Sequence, residues 1–216
     1  MPLTLYFHPL ASFCQKVLTA LYENDTAFDR HIVDLGDEAS SAAFKKIWPI
    51  GKFPVLRDDA EDRTVPESSI IIEYLAQHYP GRTQLVPDDP ELARQTRLRD
   101  RFFDLYVNVP VQKIVTDRLR PPGQHDAFGV AQARALLRTA CDMIEPEMVA
   151  KTWAMGEAFT MADCAAAPAL FYADKVMALR DTHKNTAKYL DRLMARPSFA
   201  RAVEEAKPYF KLFPKE

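Results

Sequence analysis

The chain opens with alternating hydrophobic and polar positions, and the period then changes to that of a helix. Residues 3–7 read LTLYF, with an apolar side chain at every second position, which predicts a strand ended by Pro9. From Ser12 onwards the apolar residues recur three or four positions apart, as they do on one face of a helix. We therefore predict a helix over 12–23, with Ser12 as its N-cap residue.

Similar signals divide the rest of the first eighty residues. Short runs of strand-forming residues predict strands at FDRHIVDL, FPVLRDD and RTVPE. Helical spacing predicts helices at AAFKKIW and SSIIIEYLAQHY, the second of which Ser68 or Ser69 is suited to cap. The predicted order of elements is therefore β-α-β-α-β-β-α.

A proline-rich segment, PGRTQLVPDDPE, follows and is the best candidate for a domain boundary. We predict a first domain over 1–80, a linker over 81–90 and an all-helical second domain over 91–216. The periodicity of the second domain predicts these helices: about 90–119, 126–149, 160–179, 184–195 and 197–206.

The segment FTMADC predicts a well-defined helix start in the second domain. Thr160 stands at the N-cap position and Asp163 three residues later, so each side chain can accept a hydrogen bond from a backbone N–H near the other. Phe159 and Cys164 are spaced to pack against each other across this start. Such a cap contributes about 1 kcal/mol. The alanine-rich helix that follows is expected to be central and buried, with a kink at Pro168.

Composition narrows the possible functions. Of the 216 residues, 48% are hydrophobic, which predicts a folded protein. The net charge of −2 gives no electrostatic reason to expect binding to nucleic acid or to a membrane surface. The three cysteines are widely spaced without a CxxC motif, which disfavours a disulfide framework and a zinc site. We therefore expect no metal, no signal peptide, no membrane span and a cytoplasmic location.

The order of elements, the proline-rich boundary and the motifs GKFPVL and PESSII together resemble the cytosolic glutathione transferases, of a bacterial type. The resemblance covers essentially the whole chain, and FTMADC is similar to the family's capping box. It implies a thioredoxin-like α/β domain with a four-stranded mixed sheet, followed by an all-α helical bundle. It also implies glutathione as co-substrate, a small hydrophobic electrophile as second substrate, and a homodimer.

Two motifs carry the glutathione site that the resemblance implies. In GKFPVL, the bond before Pro54 would be cis, and the backbone of Phe53 would pair with the cysteinyl part of glutathione like an added strand. Lys52 would reach the glycine carboxylate. In PESSII, Ser68 at the helix start would hold the γ-glutamyl carboxylate, and Glu67 would accept from the ammonium. A plain turn before a strand and a purely capping Ser68 are the alternatives.

The residue that activates the thiol of glutathione stays open. The activating serine of several classes of the family aligns with Ala11, and omega-like relatives have a cysteine there. In the first alternative, Ser12 donates a hydrogen bond to the sulfur. In the second, Cys14 is the working residue, with a pKa lowered by the first helical turn, although its position should face partly into the core. In the third, backbone N–H groups hold the sulfur and catalysis is weak.

Further candidates surround this helix start. Tyr6 could donate to the sulfur, although a packed strand aromatic is the simpler interpretation. The electrophile pocket is expected between the domains, lined by the following residues: Leu10, Phe102, Phe103, Tyr106 and Pro110. Aromatic residues at helical spacing are equally typical of a core.

Three arginines, Arg94, Arg97 and Arg101, fall on one face of the first helix of the second domain. They fit a solvated charged face or, by the resemblance, a two-fold dimer interface that faces Glu73 of the other subunit.

The leading hypothesis is an enzyme that conjugates glutathione to a small hydrophobic electrophile. One alternative is a glutathione-dependent thiol transferase or reductase that uses Cys14. The other is a non-catalytic glutathione-binding or partner protein, which the alanine at position 11 motivates.

Overall fold

The computed structural model describes residues 2–214. In its first part, strands and helices follow one another in the predicted order: β1 (Leu3–Phe7), α1 (Ser12–Glu23), β2 (Asp29–Ile32), α2 (Glu38–Ile47), β3 (Val55–Asp58), β4 (Arg63–Pro66) and α3 (Ser68–His78). The strands form one sheet in the order β2-β1-β3-β4. Strand β1 is parallel to β2 and antiparallel to β3, and β3 is antiparallel to β4. The predicted four-stranded mixed sheet is confirmed.

The alternation read from the sequence places the two faces of β1. Leu3, Leu5 and Phe7 are fully buried in the main core, which also contains the apolar stripes of α1 and α3. Tyr6 points to the opposite face, where its ring lies 6.2 Å from that of Phe44 in α2. Helices therefore cover both faces of the sheet: α1 and α3 lie on one face and α2 on the other.

The second part is helical. It contains α4 (Pro90–Phe102), α5 (Val109–Asp117), α6 (Ala127–Glu147), α7 (Met161–Ala173), α8 (Leu179–Thr182), α9 (Lys184–Ala195) and α10 (Pro197–Ala206), followed by a 3₁₀ helix (Lys207–Leu212). The predicted helix over 90–119 is interrupted, because a π-helical turn (Phe103–Asn108) separates α4 from α5. The predicted helix over 160–179 ends earlier, at Ala173, where Asp174 Oδ1 accepts a hydrogen bond from the backbone N–H of Leu179 and holds the chain in a turn.

The start of α7 has the capping box that the sequence predicts. The Thr160 hydroxyl accepts from the backbone N–H of Ala162 at 3.3 Å, and Asp163 Oδ2 accepts from the Thr160 N–H at 2.9 Å. Asp163 is fully buried, and its Oδ1 also accepts from the Ala154 N–H at 2.8 Å and from the Tyr189 hydroxyl at 2.5 Å. One carboxylate thus joins α7 to α9 and to the preceding loop.

Three further findings apply to the described range 2–214. No helix there is both long enough and apolar enough to cross a membrane. No three side chains of the His, Cys, Asp and Glu types are grouped so that they could hold a metal ion. Cys14, Cys141 and Cys164 are all buried and carry free thiols.

We expect Asp163→Ala to lower the free energy of unfolding by about 3 kcal/mol or more. It removes the acceptor of two backbone N–H groups and of the Tyr189 and Thr160 hydroxyls, and each such loss costs about 1–3 kcal/mol. Equilibrium unfolding in urea measures the change. The exposed carboxylate of Asp88 provides the control, since Asp88→Ala should stay within about 0.5 kcal/mol of the wild type. Equal, small losses for both variants would contradict the role assigned to Asp163.

Candidate functional site

The start of α1 differs from the prediction in one respect that matters for the site. Ala11 occupies the N-cap position with extended backbone, and Ser12 is the first helical residue, so the prediction of Ser12 as the N-cap is wrong. The Ser12 Oγ accepts from Gln112 Nε2 at 3.5 Å, and no residue within 2–214 accepts the Ser12 proton. Because the hydroxyl neither caps the helix nor donates elsewhere, its proton is available to a ligand.

A first cavity of about 170 Å³ lies beside this helix start. All five residues that the motifs assign to glutathione border it: Lys52, Phe53, Pro54, Glu67 and Ser68. Phe13 of α1 borders it as well. The Phe53–Pro54 peptide bond is cis, and Phe53 lies just before β3, outside the paired residues of that strand. The structure thus brings the two motifs together at one cavity.

The start of α3 forms one wall of the first cavity. Its N-cap residue is Glu67, whose side chain makes no capping hydrogen bond, and Ser68 is the first helical residue. The prediction that Ser68 or Ser69 caps this helix is therefore wrong. Glu67 has φ 70°, ψ 119°, a left-handed conformation that costs a residue with a side chain about 1–3 kcal/mol. Within residues 2–214 no capping side chain accepts from the first N–H groups of α3, and free N–H groups at a helix start attract an anion.

Charged side chains of both signs border the first cavity. Lys52 and Arg101 supply positive charge, and Glu67 and Asp104 supply negative charge. This mixture suits a ligand that carries carboxylates and an ammonium group together. Arg101 and Asp104 were not placed at this site by the sequence analysis. Their spacing of three residues on a helix was the available signal, and in the structure Arg101 Nη1 lies 3.4 Å from Asp104 Oδ2.

A buried ionic cluster lies beneath this cavity. The Lys16 ammonium is 1% exposed and lies 2.6 Å from Asp100 Oδ1 and 2.8 Å from Asp104 Oδ2. It also donates to Ser69 Oγ at 2.8 Å, and the Ser69 hydroxyl donates to Asp100 Oδ2 at 2.6 Å. Burial raises the pKa of the Asp100 carboxyl, against the attraction of Lys16. We name these residues the Lys16 cluster; it joins α1, α3, α4 and the π-helical turn.

A second cavity, of about 230 Å³, lies on the other side of the α1 start. Its border is largely apolar and includes these residues: Leu10, Ala11, Ser12, Asn108, Val111, Gln112, Val115, Leu119, Tyr172 and Phe213. The Tyr172 and Phe213 rings stack with their centroids 5.7 Å apart. Ala11 and Ser12 therefore face one cavity while Phe13 faces the other.

Two family models match the chain. One, described as the N-terminal domain of glutathione S-transferase, matches residues 5–83, and the other, described as its C-terminal domain, matches residues 127–192. The chain belongs to the glutathione S-transferase family. The resemblance read from GKFPVL, PESSII and the order of elements is confirmed.

Individual glutathione S-transferases agree with this assignment. One from Hyoscyamus muticus is 26% identical over 213 residues, which cover 94% of this chain and 99% of the relative. The glutathione S-transferase-like protein LUC7 of a Fusarium species is 30% identical over 162 residues, 73% of this chain and 71% of the relative. A solved glutathione S-transferase from Methylobacterium radiotolerans, in complex with glutathione sulfonate, has a TM-score of 0.81 at 28% identity and covers 93% of this chain and 94% of that one.

The second cavity departs from the predicted electrophile pocket. Leu10 borders it, but Phe103 is 3% exposed within the core and Tyr106 is 46% exposed on the surface. Phe102 and Pro110 are buried and do not border it either. The π-helical turn (Phe103–Asn108) adds a residue to the helix and rotates the face that follows it, which concerns α5 but not Phe102 or Phe103. Val111 and Val115 of α5 border the second cavity at helical spacing.

Cys14 differs from the prediction that a helix start lowers its pKa. The residue is fully buried, and burial raises the pKa of its thiol. It borders neither cavity. An inert structural cysteine fits these observations better than a redox residue in a glutathione S-transferase.

The arginines of α4 also have partners within the chain. Arg97 forms two hydrogen bonds with Glu73 of α3 in the same chain, at 2.9 and 2.8 Å. The contact with Glu73 of another subunit stays a prediction. Arg94 pairs with Glu91. Homodimerisation stays a prediction.

We expect the native protein to be unreactive towards a thiol reagent such as 5,5′-dithiobis(2-nitrobenzoate). The thiolate is the reactive form, and burial raises the pKa of Cys14, Cys141 and Cys164. The same protein in denaturant provides the control and should release all three thiols. A fast-reacting native thiol that disappears in Cys14→Ser would contradict this assignment and restore Cys14 as a redox candidate.

Proposed function

We propose that the protein is a glutathione transferase that joins the glutathione thiolate to a small hydrophobic electrophile, with Ser12 donating a hydrogen bond to the sulfur. The placement of Ser12 carries the proposal. Ser12 borders the apolar second cavity, and the next residue, Phe13, borders the charged first cavity. If the glutathione sulfur is held at this point, the rest of the glutathione molecule lies in the first cavity and the electrophile lies in the second.

The first cavity supplies the groups that glutathione requires. Lys52 binds the glycine carboxylate, and the backbone of Phe53 pairs with the cysteinyl unit as an added strand does. The start of α3, with Ser68, binds the γ-glutamyl carboxylate through free N–H groups and the positive end of the helix dipole. Glu67 accepts from the ammonium. The common border of these residues and the family membership support this arrangement.

Ser12 supplies the chemistry at the sulfur. A thiol becomes a good nucleophile only as the thiolate, and a hydrogen bond donated to the sulfur favours that form. Gln112 donates to the Ser12 oxygen, which leaves the Ser12 proton to point elsewhere. The start of α1, with the positive end of its helix dipole, adds to the stabilisation of negative charge. The thiol proton passes to solvent, and the sulfur pair forms the bond to the electrophilic carbon.

The second cavity favours an apolar electrophile. Most side chains at its border are aliphatic or aromatic, and the Tyr172 hydroxyl is occupied because it donates to the Leu10 carbonyl at 2.6 Å. Burial of apolar surface contributes about 25 cal/mol for each Å² removed from water, so a hydrophobic compound gains most in this cavity.

We expect Ser12→Ala to keep glutathione affinity within about threefold while conjugation to 1-chloro-2,4-dinitrobenzene falls by about tenfold or more. The variant removes a hydrogen bond to a charged atom, which contributes about 1.5–3 kcal/mol. The pKa of the bound glutathione thiol should rise, because the thiolate loses its donor; the ultraviolet absorbance of the thiolate against pH measures it.

Ser41→Ala in α2, at a half-buried serine whose hydroxyl borders neither cavity, is the matched control and should match the wild type. Full activity in Ser12→Ala would transfer the role to backbone N–H groups. Glutathione binding without conjugation of any electrophile by the wild type would favour the non-catalytic alternative.

We expect Ser68→Ala to weaken glutathione binding by about tenfold while kcat at saturating glutathione stays unchanged. The hydroxyl contacts the γ-glutamyl end, remote from the sulfur, and one such hydrogen bond is worth about 1 kcal/mol or slightly more. Isothermal titration calorimetry and steady-state kinetics separate the two quantities. A loss of kcat with unchanged affinity would place Ser68 at the reaction centre and overturn its assignment.

A further inference from the structure

The loop that precedes Ser12 is tied to the protein core by two buried side chains. The Gln15 amide donates to the Pro9 carbonyl at 2.9 Å, and the Tyr172 hydroxyl donates to the Leu10 carbonyl at 2.6 Å. Gln15 is fully buried, and Tyr172 is 4% exposed. These two contacts attach the segment just before the helix start to α1 itself and to α7 of the helical part of the chain.

The acceptors fix the direction of each hydrogen bond in this group. A carbonyl oxygen can only accept, so Gln15 presents its N–H edge to Pro9. For the same reason the proton of the Tyr172 hydroxyl goes to Leu10, and burial raises the pKa of Tyr172, so that the hydroxyl keeps this proton. The Tyr172 oxygen in turn accepts from Gln15 Nε2 at 3.2 Å. The result is a chain from amide to hydroxyl to carbonyl, in which each hydrogen bond strengthens the next.

Gln15 occupies its place at a cost to stability. Its Oε1 is buried and has no hydrogen-bond partner among residues 2–214. A buried polar atom without a partner destabilises the folded state, and an apolar side chain of similar size would avoid this particular loss. What the amide provides in return is the donor to Pro9 and to Tyr172. The unpaired oxygen therefore calls for an explanation in terms of what this donor holds.

The start of α1 needs such an attachment. Helix ends fray unless they are held, and α1 begins without a side-chain cap. Within the loop, the Ala11 N–H donates to the His8 carbonyl at 3.0 Å, and the Leu10 N–H donates to His8 Nδ1 at 3.2 Å. These two contacts stay inside the loop and set only its shape. The place of Ser12, the first helical residue, therefore depends on the hydrogen bonds from Gln15 and Tyr172 to the loop.

Tyr172 is well placed to hold this loop precisely. It belongs to α7 (Met161–Ala173), in which all residues except Phe171 are buried, and a side chain on a rigid element is positioned more exactly than one on a loop. Its ring also borders the second cavity and stacks on Phe213. One residue thus lines the second cavity with its ring and contacts the loop before Ser12 with its hydroxyl.

We propose that Tyr172 is a positioning residue, which holds the loop before α1 so that the Ser12 hydroxyl stands within hydrogen-bond reach of the glutathione sulfur. Gln15 supports it by donating to its oxygen. Neither side chain reaches the sulfur, because Gln15 borders neither cavity and the Tyr172 proton is used by Leu10. The inference rests on the proposed function and adds that the helical part of the chain controls how well the thiolate is stabilised.

Tyr172→Phe tests the inference, because it removes the hydroxyl and keeps the ring at the cavity border. We expect the pKa of the bound glutathione thiol, measured by the ultraviolet absorbance of the thiolate against pH, to rise by about half a unit or more. Conjugation of 1-chloro-2,4-dinitrobenzene should then fall about threefold or more at about pH 5.5. At about pH 9, where the thiolate forms without help, the rate should stay within about 1.5-fold of the wild type. The KM for the electrophile should stay within about twofold, because the cavity wall is kept.

Tyr74→Phe in α3 is the matched control. It also removes a hydroxyl that donates to a buried acceptor, Asp58 Oδ2 at 2.8 Å, but Tyr74 borders neither cavity. Both variants should lower the thermal midpoint, since each loses one such hydrogen bond. Only Tyr172→Phe should raise the pKa of the bound thiol. A rise of the same size in both variants would mean a general loosening of the protein and would overturn the inference.

Three other results with Tyr172→Phe also overturn the inference: an unchanged thiol pKa, a rate loss of the same size at every pH, or a higher KM for the electrophile alone. The last would place the hydroxyl in the binding of the second substrate. Should Tyr172→Phe fail to fold, Gln15→Met replaces it. This variant removes the donor to Pro9 and Tyr172, so the same rise of the thiol pKa is expected, and an unchanged pKa overturns the inference.

The failure of this inference and that of the proposed function can be told apart. If Ser12→Ala raises the thiol pKa and Tyr172→Phe does not, the inference alone is wrong. If the wild type binds no glutathione, or if Ser12→Ala leaves the thiol pKa unchanged, the proposed function fails as well. The thiol pKa is measured without an electrophile, so it decides the role of Tyr172 even in a wild type that conjugates none.

Discussion

The ammonium group of Lys16 has no access to water, and the arrangement of the site depends on how its charge is neutralised. An unpaired ion in this position would cost several kcal/mol, so Asp100 and Asp104 must stay within contact of it. Ser69 joins the same cluster from α3. One group of charges therefore holds together α1, α3, α4 and the π-helical turn. A shift of any of these elements would expose a buried ion.

The elements that depend on local signals could be predicted from the sequence. The alternation of residues 3–7, the helical stripes of α1 and α3, and the box of Thr160 and Asp163 are encoded within a few residues of each other, and each was found where predicted. The serines predicted as N-cap residues of α1 and α3 were not found at the cap position, because the backbone conformation of the preceding residue decides which position is the cap. Ala11 is extended and Glu67 is left-handed, and each pushes the following serine one place into its helix.

Long-range features of the site had no comparable signal. Two short motifs identify five residues of the first cavity, since both motifs keep their residues adjacent in sequence. The Lys16 cluster joins residues far apart along the chain, and nothing near Lys16 indicates its carboxylate partners. Tyr172 and Phe213 reach the second cavity only through tertiary packing. Phe103 and Tyr106 were expected at an electrophile pocket from the family resemblance, but Phe103 packs in the core and Tyr106 is exposed on the surface.

The absence of a side-chain cap at α1 and at α3 links the fold to the proposed binding of glutathione. Each helix forgoes about 1 kcal/mol of the stability that a capping side chain supplies, and leaves its first N–H groups uncovered at a cavity. In the proposed complex, the thiolate covers the end of one helix and the γ-glutamyl carboxylate covers the end of the other. Glutathione would then be a structural component as much as a reagent. While it is bound, it would supply the N-terminal caps that the protein's own side chains do not provide to α1 and α3.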